Sequence, residues 1–316
     1  MKMDIRNVVV IGGGVLGSQI AYQTAYKGFS VTIWLRSPAS IDRAKPKLER
    51  LHGIYTAELN EARTSDGPYS AGLLENGRMY SDAEINDRIA AADAALSGKK
   101  LTTDLPNAVK DADLVIEALA GDIQQKIEFY KMLAPLLPGK TIIATNSSTL
   151  LPSAMAEYTG RPEKYLALHF ANNIWSGNTA EVMGHAQTDP EVYRTVVKFA
   201  KDISMIALEV KKEQPGYILN SMLVPFLESA ECLWANDVAD YETIDRTWML
   251  ATHAPMGPFR ILDVVGITTA YNILLSRPGV DDPSTVYGKL AKRLKEDYID
   301  TGKLGVNAGE GFYKYK

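Results

Sequence analysis

Six residues near the start of the chain, Gly12-Gly13-Gly14-Val15-Leu16-Gly17, follow directly on the apolar run Val8–Ile11 and open a helical pattern over Val15–Lys27. This arrangement narrows the possible folds sharply. In a strand–turn–helix unit the first glycine, Gly12, permits a tight turn, and the second, Gly14, lets the backbone approach a pyrophosphate. The third, Gly17, lets the helix pack close on the strand, while Val15 and Leu16 carry the helix N-terminus that faces the phosphates. Set inside a βαβ unit of about thirty residues, the motif predicts a parallel sheet that binds a dinucleotide, with Gly12, Gly14, Val15, Leu16 and Gly17 against it.

The rest of the first half fits such a sheet. Apolar, β-branched runs at Val31–Trp34, Leu114–Glu117, Thr141–Ala144 and Tyr165–Leu168, then Ala180–Met183 and Ile206–Val210, alternate with helical patterns at Val15–Lys27, Asp122–Leu136 and Pro190–Asp202. The strands read as near-continuous Val/Ile/Leu, as expected when both faces are covered. Residues 40–98 are long, charged and Ala-rich, interrupted at Thr64–Gly77, and predict a helical excursion standing off the sheet. After the polar turn Lys212-Glu213-Gln214-Pro215-Gly216 no clear strand follows. Ile218–Asn236 is apolar on most sides, with Pro225 set to kink it. The expectation is an α/β protein with a Rossmann-type doubly wound, mostly parallel sheet over residues 1–211 and an all-helical domain over 212–316.

Composition excludes several function classes. The 316 residues carry 34 Lys+Arg against 38 Asp+Glu, a net charge of −4, which offers no basic field for nucleic acid. One cysteine, Cys232, cannot form an internal disulfide, and a cysteine-poor chain suits a reducing compartment. The glycine cluster arrives before any signal-peptide pattern, and no apolar run approaches the roughly 20 residues of a membrane span. The expected location is cytoplasmic, with no membrane partner. His52, His185 and His253 lack metal-ligand spacing, so no metal site is expected. The pairs Lys99-Lys100 and Lys211-Lys212 read as solvated charge.

The strand ends carry the chemistry. The second strand runs Trp34-Leu35-Arg36-Ser37, without the acidic residue that would accept from the adenosine ribose hydroxyls. Arg36 and Ser37 stand where a 2′-phosphate would lie, and a guanidinium with a hydroxyl suits that group. This favours NADP(H). Further on, Asn146-Ser147-Ser148, His169 and Glu181 fall at or near strand ends, where open α/β sheets bind ligands.

These residues resemble the L-3-hydroxyacyl-CoA dehydrogenase family along essentially the whole chain, with the diketoreductase-containing branch the most similar. The family's Asn-Thr-Ser-Ser-Leu stands here as Asn146-Ser147-Ser148-Thr149-Leu150, and its His-Phe-Phe-Asn-Pro as His169-Phe170-Ala171-Asn172-Asn173. Its Pro-Gly-Phe-hydrophobic-Val-Asn-Arg stands as Pro215-Gly216-Tyr217-Ile218-Leu219-Asn220-Ser221. Met256-Gly257-Pro258-Phe259, Asp263 and Gly309-Glu310-Gly311-Phe312-Tyr313 match as well. The resemblance implies His169 as catalytic acid–base, Glu181 as its partner, and Ser148 and Asn220 as hydrogen-bond donors to the substrate oxygen. It implies Lys126 and Asn146 near the cofactor, NAD(H) as the usual cofactor of the family, and a homodimer through the C-terminal domain. Ser147 remains an alternative to Ser148.

The residue types suit hydride transfer at a carbonyl. A histidine with an ordinary pKa of about 6.5 delivers or accepts the proton at neutral pH. Glu181 would fix its tautomer and raise its proton affinity, and the donors stabilise developing alkoxide charge. The sequence departs from the family pattern at Gly121, Ala171, Asn173 and Ser221. Asp122 stands as a substitute beside Gly121. The expected reaction interconverts a 3-hydroxyacyl substrate, a CoA thioester, and its 3-keto form, using NAD(P)(H). Ala171 and Asn173 favour the alternative of a non-CoA substrate such as a diketo ester, a sugar acid or a carnitine-like hydroxy acid. A non-catalytic nucleotide-binding protein is the remaining alternative, against which the intact Ser148, His169, Glu181 and Asn220 set argues.

Overall fold

A computed structural model describes residues 4–315. Along β1 (Asn7–Ile11), Val8 and Val10 enter one core cluster while Val9 and Ile11 enter another. That two-residue alternation belongs to a strand covered on both faces. The elements that follow are α1 (Val15–Tyr26), β2 (Ser30–Trp34), α2 (Pro38–Glu61), α3 (Asp82–Gly98), β3 (Lys100–Thr102), α4 (Leu105–Val109) and β4 (Leu114–Glu117). Then come α5 (Ile123–Leu133), β5 (Ile142–Thr145), α6 (Pro152–Met155), β6 (Tyr165–Phe170), β7 (Thr179–Met183), α7 (Pro190–Asp202) and β8 (Ile206–Val210).

The strands form one sheet in the order β3-β2-β1-β4-β5-β6-β7-β8. All neighbours are parallel except β6 and β7, which are antiparallel. The strand order reverses between β1 and β4, so the crevice beyond their carboxyl ends is the expected ligand position for such a sheet.

One expectation needs correction. The three-residue strand β3 lies where the sequence suggested only solvated lysines, and Lys99 before it packs its ammonium 4.9 Å over the Tyr22 ring. Burial lowers the Lys99 pKa to about 8. The excursion packs on α1. Tyr55 of α2 packs edge-on against Tyr22 and Tyr26 of α1 and donates its hydroxyl to Gln23 Oε1 at 2.6 Å. The Tyr22 hydroxyl in turn donates to the Ala92 carbonyl of α3 at 2.8 Å. Both helices therefore belong to the main core.

The chain divides into two compact units, Met1–Ile218 and Leu219–Lys316. The division falls beyond the turn at 212–216, because Tyr217 is buried with Ala167, Met183 and Val210 of the sheet. The second unit holds α8 (Leu219–Ala235, containing Pro225), α9 (Tyr241–Thr252), α10 (Pro258–Val265), α11 (Ile267–Leu274) and α12 (Val286–Arg293). Its core gathers Leu227, Phe259, Leu262, Leu290 and Phe312.

Asp263 ties the end of the chain to this core. Its carboxylate accepts from the Phe312 and Tyr313 amides at 2.8 and 2.9 Å and from the Tyr315 hydroxyl at 2.8 Å. A Cβ on Gly311 would collide with that carboxylate. Asp245 does the same for α10, accepting from the Phe259 and Arg260 amides. Asp263→Ala strands the buried Phe312 amide and the part-buried Tyr313 amide, and we expect it to destabilise the second unit by about 3 kcal/mol. Urea unfolding followed by the Trp234 and Trp248 fluorescence reads this, and a loss below about 1 kcal/mol would refute the assignment.

Candidate active site

The loop after β1 is built to bring a ligand against backbone. Gly12 has φ +108°, and a Cβ there would stand 2.9 Å from the Ala118 carbonyl oxygen in the loop after β4. A Cβ on Gly17 would collide with the Gly12 carbonyl. Gly14 is the N-cap of α1, with no side-chain cap and no acidic residue in the first turn, and Val15 is exposed beside it. The first amides of α1 are thus left for an anion. Leu16 turns inward and packs against the core.

The end of β2 presents a cationic face. Leu35 is buried, and its side chain lies against Gly13, where an added Cβ would come within 2.7 Å. Arg36 is exposed and has no hydrogen-bond or ion-pair partner among the described residues. Ser37 caps α2, accepting from the Ser40 amide at 3.3 Å, and the two hydroxyls lie 3.0 Å apart. Arg43 donates to Ser40 Oγ at 2.8 Å, and Lys47 Nζ donates to the Gly13 carbonyl at 3.0 Å. Sequence reasoning named Arg36 and Ser37 but not Ser40, Arg43 and Lys47. Their three- and four-residue spacing after Ser37 on a helix was the available signal.

Beneath the β4 loop lies a buried ion pair. Glu117, fully buried at the end of β4, accepts from Lys126 Nζ at 2.6 Å, Tyr130 OH at 3.0 Å, Thr145 Oγ1 at 2.8 Å and the Leu119 amide at 2.7 Å. Lys126, expected near the cofactor, is buried in this network, which shapes the loop next to Gly12. Asp122 caps α5 by accepting from the Gln125 amide at 2.9 Å, so that carboxylate is engaged in holding a helix.

Three of the predicted side chains meet. The antiparallel register sets His169 on β6 directly opposite Glu181 on β7. His169 Nδ1 lies 3.1 Å from Glu181 Oε2, and its Nε2 lies 3.0 Å from Ser148 Oγ in the loop after β5. A carboxylate only accepts, so Nδ1 carries the hydrogen in the neutral ring and Nε2 presents its lone pair to Ser148. Ser148, not Ser147, faces the imidazole. Ser147 instead accepts the Tyr217 hydroxyl on its carbonyl at 2.7 Å. Asn146 Oδ1 accepts from the Phe170 amide at 3.0 Å and ties the β5 loop to β6. Asn220 stands in the first turn of α8, in the second unit.

Burial sets the sign of the histidine's pKa. Desolvation lowers it below 6.5, and the Glu181 hydrogen bond and charge raise it by less. Glu181 thus acts in the anticipated direction, and burial, which sequence reasoning did not weigh, outweighs it.

Two residues of the 215–218 turn, missed in the sequence, complete the site. Tyr217, in the left-handed region at φ 55°, stacks on His169 with centroids 4.4 Å apart and planes 10° off parallel. Such a backbone costs about 1–3 kcal/mol. The Ile218 amide donates to Glu181 Oε1 at 2.8 Å.

The segment after His169 departs from the family pattern for a visible reason. Asn173 has φ 57° and donates its amide to Gln19 Oε1 at 3.0 Å. Proline can do neither, having a fixed negative φ and no N–H.

The sequence pattern described as 3-hydroxyacyl-CoA dehydrogenase, NAD binding domain matches residues 7–214, and its C-terminal domain matches residues 216–315. The chain belongs to the 3-hydroxyacyl-CoA dehydrogenase family. Human mitochondrial hydroxyacyl-coenzyme A dehydrogenase is 29% identical, covering 100% of this chain and 93% of the relative. A probable 3-hydroxybutyryl-CoA dehydrogenase of Deinococcus radiodurans is 29% identical over 97% of this chain and 99% of its own. A solved diketoreductase, described as a dual catalyst of dicarbonyl compounds, is 49% identical with a TM-score of 0.83, covering 99% of both chains. The chain is therefore a nicotinamide dinucleotide-dependent dehydrogenase acting on CH–OH groups.

One expectation follows from the electrostatics alone. The His169 ring should titrate below 6.5, and Glu181→Gln should move it lower still, since removing the carboxylate removes a group that favours the imidazolium. Histidine-ring NMR titration reads both. A His169 pKa at or above 6.5, or an upward move in the variant, would contradict the burial argument.

Proposed function

We propose that the protein interconverts a 3-hydroxyacyl thioester of CoA and its 3-keto form, and that the contiguous Ser148–His169–Glu181 chain carries the proton step. When bound, the dinucleotide supplies or takes up the hydride. In oxidation, His169 Nε2 takes the hydroxyl proton while Glu181 holds Nδ1–H and steadies the imidazolium that forms. In reduction, the imidazolium returns that proton to the developing alkoxide. Ser148 Oγ donates toward the same oxygen, where negative charge builds. The match of Asn220 to the family signature supports a substrate contact for it too. His169→Ala should lower kcat by about 100-fold or more, with the dinucleotide KM little changed. Unchanged turnover would remove the catalytic reading.

A second reading has its own support. The 49% identity to a diketoreductase and the rebuilt turn at Ala171–Asn173 favour a dicarbonyl substrate without CoA. Reduction of acetoacetyl-CoA and of a β,δ-diketo ester should be compared side by side. Turnover of acetoacetyl-CoA, inhibited by free CoA, supports the thioester reading. Turnover of the diketo ester alone replaces it.

For the cofactor, NADP(H) is the preferred form on this reading, although NAD(H) is usual in the family. Exposed Arg36 adjoins Ser37 in the chain, Ser37 bonds Ser40 and Arg43 donates to Ser40, and Leu35 stands in place of the carboxylate that would repel a 2′-phosphate. Arg36→Ala should reduce kcat/KM for NADPH by about tenfold or more and leave NADH within about twofold. Equal loss with both cofactors would count against the clamp.

A homodimer through the C-terminal domain is supported by exposed apolar side chains on the second unit, among them Met222, Val238 and Leu250. Sedimentation equilibrium at micromolar concentration reads it, and a monomer refutes it. Among the described residues no helix is long and apolar enough to cross a membrane. The absence of any internal disulfide partner for Cys232 supports the cytoplasmic reading.

A further inference from the structure

We infer that Tyr217 is a positioning residue that holds His169 and the Ser148 loop in one alignment, a role that rests on the proton-transfer reading above. Three contacts from two consecutive residues carry it. The phenol ring lies parallel on the imidazole at 4.4 Å, which stops the imidazole rotating out of the plane that meets both Ser148 and Glu181. The phenol hydroxyl donates to the Ser147 carbonyl at 2.7 Å, next to the serine that faces Nε2. The following amide, of Ile218, occupies Glu181 Oε1 at 2.8 Å and leaves Oε2 toward Nδ1.

The turn geometry delivers these contacts together. Gly216 and Tyr217 are both left-handed, at φ 79° and 55°, and Tyr217 is 1% exposed. A tyrosine accepts that backbone only where the surroundings enforce it. The family signature places phenylalanine at this position, so the hydroxyl tether to Ser147 is a feature of this chain. The ring and the hydroxyl have separable effects. The π face favours the imidazolium over the neutral ring, in the same direction as Glu181 and against burial. The hydroxyl acts on the serine loop and leaves the histidine's proton affinity alone. Among the described residues of the first unit, Glu181 from β7, Ser148 from the β5 loop and Tyr217 itself face the imidazole. Burial holds the Tyr217 phenol neutral by raising its pKa.

The test uses the full-length enzyme with Tyr217→Phe, Tyr217→Leu and His169→Gln. Steady-state oxidation is followed across pH, and the His169 ring is titrated by NMR, the His169→Gln spectrum assigning its signal. Tyr217→Phe should lower kcat about three- to tenfold, with the dinucleotide KM and the His169 pKa unchanged. Tyr217→Leu should lower kcat further and move the His169 pKa, and with it the acidic limb of kcat/KM, to lower pH. Wild-type kcat in Tyr217→Phe overturns the tether. An unmoved His169 pKa in Tyr217→Leu overturns the ring's role. The Phe variant keeps the buried ring and so keeps the fold testable if the Leu variant unfolds. If His169→Gln retains full turnover, the proton-transfer reading itself falls. If it loses turnover while both Tyr217 variants behave as wild type, only the positioning role falls.

Discussion

The antiparallel pairing of β6 with β7 is the constraint on which the site depends. In-register neighbours on adjacent strands bring their side chains to the same face, and the β6–β7 pairing uses this at the histidine. Because β7 runs against β6, the register sets Glu181 directly opposite His169, and the pair meets at 3.1 Å with both side chains buried. Ser148 then arrives from the neighbouring parallel strand's loop. The His169–Glu181 pairing in the proposed geometry is therefore a property of strand register, while Ser148 depends on the path of its loop.

Burial then tunes what that geometry can do. A histidine this deep is driven toward the neutral ring, and Glu181 opposes the trend without overcoming it. For a group that gives up and recovers a proton in each direction of a reversible reaction, a pKa below the usual value leaves the base form in excess at neutral pH. Elsewhere the same low-dielectric interior is handled differently. Glu117 accepts from four donors and pairs with Lys126, so its charge is balanced where it lies. A buried pair of this kind gives little net stability relative to an apolar replacement. Its evident effect is to hold the β4 loop against Gly12, where a Cβ would already be too close to Ala118.

Much of this was legible in the sequence because it rests on periodicity and on glycine. The Val8/Val10 and Val9/Ile11 alternation marks a strand with two covered faces, and Gly12, Gly14 and Gly17 mark its turn. Ser148, His169 and Glu181 were identifiable as residue types in a known pattern, while the choice between Ser147 and Ser148 needed the loop's actual path. What stayed hidden has a common physical cause. The packing of α2 and α3 on α1 turns on Gln23, Tyr22 and Tyr55, buried polar groups whose partners lie 30 to 180 residues away. Polar side chains on a helix look solvent-facing until those partners are known. β3 has three residues and begins with a lysine, too short for alternation to register. Lys126 was matched correctly to a helix, but its carboxylate partner nine residues earlier sits on a different element.

The end of β2 shows how one substitution can acquire meaning from a distance. Replacing an acidic residue by Leu35 would by itself leave the ribose end of the site neutral and poorly specified. Leu35 instead turns under Gly13 beside Ala44, which moves the first polar side chain of the strand end to Arg36. The helix that follows then supplies Ser40, Arg43 and Lys47 from one face, and Asp42 on the same helix pairs with Lys45 at 3.6 Å. A phosphate needs both charge and hydroxyl donors in fixed places. Ser37 provides the fixed point, since its role as N-cap of a 24-residue helix locks its rotamer. Charge alone on a mobile surface arginine would attract either cofactor's pyrophosphate. The cofactor preference proposed for this chain rests on a guanidinium beside two mutually bonded hydroxyls, which would favour a ribose phosphate over a ribose hydroxyl.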